Sequence, residues 1–182
     1  MSLVFDRFIQ NQGINSIVPY DGSWGPGIFN TSIRNLSSFT IGGSISNDSL
    51  SIAGQGTLSL LYNYDPDSSL SFDFRNLDIF FTSSNMSITP QLRLLSLVTS
   101  SIGPIQPIFS NFLNPTINNS QFVWSTNDIR SDFGTIDVSK TFAMEIQITL
   151  PQLISATITN LNSIRIPSGG SGGISTINTC GY

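Results

Sequence analysis

An all-β fold, an antiparallel β-sandwich of jelly-roll type, is what this sequence predicts, on three observations. The residues that suit exposed helix faces are almost missing: in 182 residues Glu145 is the only Glu, Lys140 the only Lys, and the alanines are Ala53, Ala143 and Ala156. Ile, Phe, Ser and Thr stand in their place, a composition that favours strands. Apolar residues recur at period two between residues 4 and 166, punctuated by turn residues, and no segment sustains a 3.6-residue period with caps at both ends.

In chain order, Leu58, Leu60, Tyr62 and Tyr64 form the first clear stripe. The turn Asp65-Pro66-Asp67-Ser68 interrupts it, with Pro66 at a position turns favour, and Leu70, Phe72 and Phe74 resume the alternation; the spacing predicts a hairpin. Leu77, Ile79 and Phe81 follow Asn76 as the next strand, and Leu92, Leu94, Leu95 and Leu97 predict one buried on both faces. The Pro-containing stretches Ile102 to Pro107 and Asn114 to Asn119 are expected to be connections or edge segments, because Pro cannot donate to a central ladder. Trp124, within Gln121 to Ser125, is expected in the core. From Thr141 to Leu150 the alternation is cleanest: Phe142, Met144, Ile146, Ile148 and Leu150 predict a buried face, and Thr141, Ala143, Glu145, Gln147 and Thr149 a wet one. Ile154, Ala156 and Ile158, then Ile164 and Ile166, close the domain. After Pro167 the composition changes to Ser168-Gly169-Gly170-Ser171-Gly172-Gly173, a linker composition. One sandwich domain over 1–167 and a Gly/Ser-rich linker and tail over 168–182 are therefore expected.

Composition excludes more chemistry than it suggests. With no His, the chain cannot supply a Ser-His-Asp or Cys-His unit, nor imidazole ligands for zinc or iron. Gly169 to Gly173 matches the G-x-S-x-G nucleophile elbow only formally, since that elbow needs a strand-to-helix turn and a histidine base. A catalytic carboxylate pair would have to come mainly from Asp6, Asp65, Asp67, Asp73, Asp78, Asp128, Asp132 and Asp137, most of which stand where Asp serves turns; no catalytic residue is assigned. Charged residues are 10% of the chain, against about a quarter in an average domain. With a net charge of -4 and six scattered Arg, no basic patch forms to neutralise phosphates, so nucleic acid is not an expected partner. No apolar run approaches the length that spans a bilayer, so membrane insertion is not expected either. Five sequons, beginning at Asn30, Asn35, Asn47, Asn85 and Asn118, are about what chance yields where Ser, Thr and Asn make about a third of the residues.

Three candidate features remain. The loop Tyr20-Asp21-Gly22-Ser23-Trp24-Gly25-Pro26-Gly27 places Trp24 among residues that favour irregular backbone. Its indole is either displayed for stacking on a sugar ring or a protein partner, with Tyr20 and Asp21 beside it, or folded back over one end of the sandwich. Asp65 and Asp67 are candidate oxygen ligands for a structural calcium, and the alternative is a pair of ordinary turn carboxylates; no other cofactor is expected. Cys180, the only cysteine, has no partner within the chain and is a candidate crosslink between chains.

Phe5-Asp6-Arg7-Phe8 near the start, Gly54-Gln55-Gly56-Thr57-Leu58-Ser59-Leu60-Leu61-Tyr62 in the middle and Leu161-Asn162-Ser163-Ile164-Arg165-Ile166 near the end resemble jelly-roll modules of the galactose-binding-like and carbohydrate-binding superfamily. The resemblance spans residues 4–166. It implies that the first and last strands lie together, and that the chain is an extracellular glycan-binding module, often with a structural calcium. Few charges and abundant hydroxyls and amides suit a neutral polyol ligand held by hydrogen bonds and stacking. The expected function is thus a non-catalytic extracellular or surface module that binds glycan. A rival from a different class is a structural subunit of a surface assembly, such as a virion, phage tail, spore coat or filament, self-associating through its C-terminal tail and Cys180.

Overall fold

The computed structural model describes residues 2–6, 8, 16–19, 31–37, 40–46, 49–63, 74–98, 106–126, 138 and 141–165. Apart from turns and connections these form eleven strands: β1 (Ser2–Asp6), β2 (Ser16–Pro19), β3 (Thr31–Ser37), β4 (Ile41–Ser46), β5 (Ser49–Asn63), β6 (Leu77–Ser83), β7 (Thr89–Val98), β8 (Gln106–Phe109), β9 (Thr116–Asn118), β10 (Gln121–Ser125) and β11 (Thr141–Arg165). Every pairing between them is antiparallel.

The two longest strands make the sandwich. Fully extended, the 25 residues of β11 would span about 80 Å at ~3.3 Å each, whereas a chain of this length folds to a radius of gyration of about 16 Å. The strand must bend, and the register shows where. β11 pairs with β5 from Ala143↔Asn63 to Leu150↔Gly56, and again from Ile154↔Gly54 to Thr159↔Ser49, so Pro151, Gln152 and Leu153 stand opposite Gln55 alone. On β5 the bend falls at Gly54 (φ 144°) and Gly56 (φ 127°), backbone that side-chain-bearing residues rarely adopt. A Cβ on Gly54 would lie 2.5 Å from the Thr40 carbonyl oxygen, and one on Gly56 would lie 2.3 Å from Thr40 Oγ1. The Gln55 side-chain amide donates to the Pro151 carbonyl across the corner, at 3.3 Å.

On one side of the corner the order is β2-β3-β5-β11-β7-β8, and on the other β4-β5-β11-β6-β10-β9. Strand β1 joins the second layer against the end of β11, pairing Ser2↔Ile164 to Asp6↔Leu161. The first and last strands therefore lie together, as the resemblance implied.

Side-chain parity is kept through the bend. Leu50, Ile52, Leu58, Leu60 and Tyr62 of β5 and Met144, Ile146, Ile148, Leu150, Ala156 and Ile158 of β11 all belong to one core cluster. A ribbon whose single apolar face meets itself must be folded over, and that closure is the sandwich. A one-residue bulge in β11 between Thr159 and Asn162, against β6, shifts the parity so that Leu161 also faces inward. Strands β9 and β10 are joined by a two-residue turn at Asn119 (φ 45°) and Ser120 (φ 63°), the hairpin geometry that matches strand twist.

Residues 59–62 of β5 have β3 on one edge and β11 on the other; the turn and the returning stretch Leu70 to Phe72 of the expected hairpin lie outside the described residues. Phe74 is buried outside any strand, its N–H bonded to the Val138 carbonyl at 2.9 Å. The structure departs from the sequence expectations on the face of β11 expected to be wet: Thr141, Ala143 and Glu145 on it are buried, Glu145 beneath Arg93 of β7, whose guanidinium packs on Phe109 and Phe112. Trp124 lies in the core, 2% exposed, with Phe81 against its ring at 5.6 Å between centroids.

Candidate functional site

Pairing of β5, β11 and β7 brings three outward-facing rows into register. Since Leu58, Leu60 and Tyr62 point into the core, their odd-numbered neighbours point out. Leu61, Glu145 and Arg93 make one row, Ser59, Gln147 and Gln91 the next, and Thr57, Thr149 and Thr89 the third. Residues directly opposite one another across a strand pair have Cβ atoms about 4.5–5.5 Å apart, close enough for their side chains to bond.

The first two rows are tied together at Glu145. Its Oε1 accepts from the Ser59 hydroxyl at 2.6 Å, and its Oε2 accepts from Arg93 Nε. Both carboxylate oxygens are thus engaged, and the side chain is only 9% exposed. Such a pair costs desolvation, which its own hydrogen bonds offset, so its value lies in a fixed orientation more than in net stability. The Arg93 guanidinium is flanked by two aromatic rings, 4.2 Å from the Phe109 centroid and 4.5 Å from that of Phe112. Each stacking contact is worth about 0.5–1 kcal/mol where solvent reaches it. Phe109 remains 48% exposed although it packs on a cation.

The second row ends at Asn114, whose Oδ1 accepts from Gln91 Nε2 at 2.9 Å on the surface. In the third, the hydroxyls of Thr57 and Thr149 are 3.3 Å apart and exposed. The face therefore offers amides, hydroxyls, one internally neutralised ion pair and an exposed ring.

The segment after β8 that carries Phe112 and Asn114 is held firmly. Leu94 and Ser110 bond twice, the Ser110 amide N–H donating to the Leu94 carbonyl at 3.0 Å and the Leu94 N–H donating to Ser110 Oγ at 2.9 Å. Leu113 exchanges backbone bonds with Leu92 at 2.8 and 3.0 Å, and its carbonyl accepts the Trp124 indole N–H at 3.1 Å. Behind this segment, at the edge of the second layer, is a pocket of about 250 Å³ lined by Phe112, Leu113, Asn114, Thr116, Val123, Trp124 and Ser125.

None of the candidate residues named from the loops can be placed against this face. Tyr20, Asp21, Trp24, Asp65, Asp67 and Cys180 lie outside the described residues, as do Asp73, Asp128, Asp132 and Asp137. Among the described residues no three His, Cys, Asp or Glu side chains come together as a metal site. Asp6 is fully buried, its Oδ2 accepting from Tyr62 Oη at 3.0 Å and its Oδ1 from the Phe8 N–H at 2.8 Å, a structural use of a carboxylate. Sequence reasoning missed Gln91, Arg93, Phe109, Phe112, Asn114 and Gln147 as site residues, and placed Glu145 only as a residue of the wet face. The available signal was the matched alternation of Gln91 with Arg93 and of Glu145 with Gln147, which gains meaning only once β7 and β11 are paired.

No family model matches the sequence, and no curated protein matches it. Among solved structures, the chain is similar to a carbohydrate-binding module of the endoglucanase Cel5A from Eubacterium cellulosolvens, at 17% identity and a TM-score of 0.41, over 59% of this chain and 80% of that one. It is also similar to a family 29 carbohydrate-binding module variant complexed with mannohexaose, at 12% identity and a TM-score of 0.42, over 89% of both chains.

Proposed function

We propose that this protein is a non-catalytic module that binds neutral glycan on the outward face of β5, β11 and β7, at the surface of a cell or particle or outside it. The observation that carries this reading is Arg93, held between Phe109 and Phe112 and neutralised by Glu145. Sugar rings are recognised by planar hydrogen-bonding groups set beside an aromatic surface, and preorganised side chains reduce the entropy lost on binding. The charge balance favours a neutral ligand, since Arg93 has its carboxylate partner already.

Isothermal titration with cellohexaose, mannohexaose and xylohexaose tests the reading. At least one should bind, and Phe109→Ala and Arg93→Ala should each weaken it tenfold or more. Absence of binding to all three, or full affinity in both variants, would refute it.

One observation favours a second reading, self-association as a structural subunit. The edge strand β9 is exposed along its length, with Ile117 64% exposed, and an uncovered edge is a template for strand pairing. Light scattering of unreduced protein, repeated with reductant and after truncation at Pro167, tests it. A large species that collapses on truncation supports assembly through the tail and Cys180; a monomer throughout counts against it.

A further inference from the structure

The geometry points to the pocket behind Phe112 as the seat of the glycan's terminal ring, so that the protein grips chain ends; the inference rests on the glycan-binding reading and specifies which part of the glycan is taken. The rows of the binding face run across the strands and lead off the layer at its β7 side. The Arg93 row ends on Phe112 and the Gln91 row ends on Asn114. Those same two residues line the pocket, so they stand as a shared wall between the face and the pocket.

The pocket is built to accept and to stop a chain. Two of its lining residues are fixed: the Trp124 indole N–H bonds the Leu113 carbonyl, and Leu113 is itself locked to Leu92 by two backbone bonds. At about 250 Å³ the space falls below the ~300–1,000 Å³ that drug-sized ligands fill, a volume that suits one ring and is small for two. No lining side chain is charged; Asn114, Thr116 and Ser125 supply an amide and two hydroxyls, and Phe112 and Val123 supply apolar surface. This lining takes a neutral terminal sugar and offers nothing to a terminal uronate or sialate.

The test compares a hexasaccharide that binds with the long soluble polymer of the same backbone, by titration calorimetry. End recognition gives one protein per chain in both cases. Loading of many proteins on each polymer chain at the hexasaccharide's affinity overturns it. Ser125→Trp fills the pocket from β10, and Thr116→Tyr fills it from the exposed strand β9 should the first variant misfold. Either folded variant should lose at least tenfold in hexasaccharide affinity at an unchanged unfolding midpoint, and undiminished affinity in both overturns the inference. The binding face and the terminal-ring pocket are tested separately by these variants. If Arg93→Ala and Phe109→Ala bind as the wild type does, the binding face is wrong; if they lose binding while the pocket-filled proteins keep it, only end recognition is wrong.

Discussion

Two carboxylates in this chain are buried for opposite purposes. Asp6 is closed inside the sandwich, where the Tyr62 hydroxyl and the Phe8 N–H occupy its two oxygens and tie β1 to β5. Removing the hydroxyl as Tyr62→Phe takes away a buried hydrogen bond, and a loss of about 1–3 kcal/mol in unfolding free energy is expected from denaturant titration. Glu145 lies on the outward face, and its role is to hold Arg93 in place. Glu145→Gln keeps the shape but discharges the partner of Arg93. Glycan affinity should fall severalfold while the unfolding midpoint moves little, since the amide still fills the site and the Arg93 end of the pair reaches solvent. A large loss of stability with unchanged affinity would reverse that assignment. Composition marks out Glu145 as the only Glu but not Asp6, one of several Asp, and their hydrogen-bond partners Arg93 and Tyr62 lie 52 and 56 residues away along the chain.

At the scale of the element, the corner in the β5–β11 ribbon is the most demanding feature. Alternation predicted the halves at Leu58 to Tyr62 and Thr141 to Leu150 and a separate stretch from Ile154 to Ile158, and it carries no sign of a corner between them. Gly54 and Gly56 permit the bend because their φ angles are positive and Thr40 stands where a Cβ would go. Gly54→Ala should therefore cost about 1–3 kcal/mol from backbone strain alone, with the clash against the Thr40 carbonyl adding to it. Gly42→Ala is the matched control: its Cβ would meet only the Ala53 carbonyl oxygen at 3.9 Å. That substitution should be neutral or stabilise by up to about 1 kcal/mol through the unfolded chain. Thermal or denaturant midpoints for the two proteins give the comparison directly, and equal effects would mean the corner tolerates side chains. The glycines are plain in the sequence as a G-x-G pair. Their purpose is not, because Thr40 approaches them through tertiary packing.

For the whole molecule, two strands shared by both layers mean that neither layer can unfold alone. Loss of β5 or β11 from one layer removes Leu58, Leu60, Met144 and Ile146 from the same cluster that holds Leu50, Ile52 and Ile158. Unfolding should accordingly be a single transition, with tryptophan fluorescence and far-ultraviolet circular dichroism giving one midpoint. Two separated midpoints would show that the layers are independent. Folding should be slow, in the range of milliseconds to seconds, because β11 must find β5, β6, β7 and β1 across long stretches of chain.

What the sequence determined by itself is class and chemistry: strands in place of helices, the buried stripes of β5, β6 and β11, the core position of Trp124, and the absence of histidine. These follow from composition and from the two-residue repeat of an extended chain, both local properties. The tertiary structure decided which strands are neighbours, where the ribbon folds over, and which outward side chains share a face. Strand pairing joins residues far apart in the chain, and a side chain's own alternation says which way it points but never what it meets across the ladder. Arg93, Glu145, Phe109 and Phe112 become a site only through that pairing.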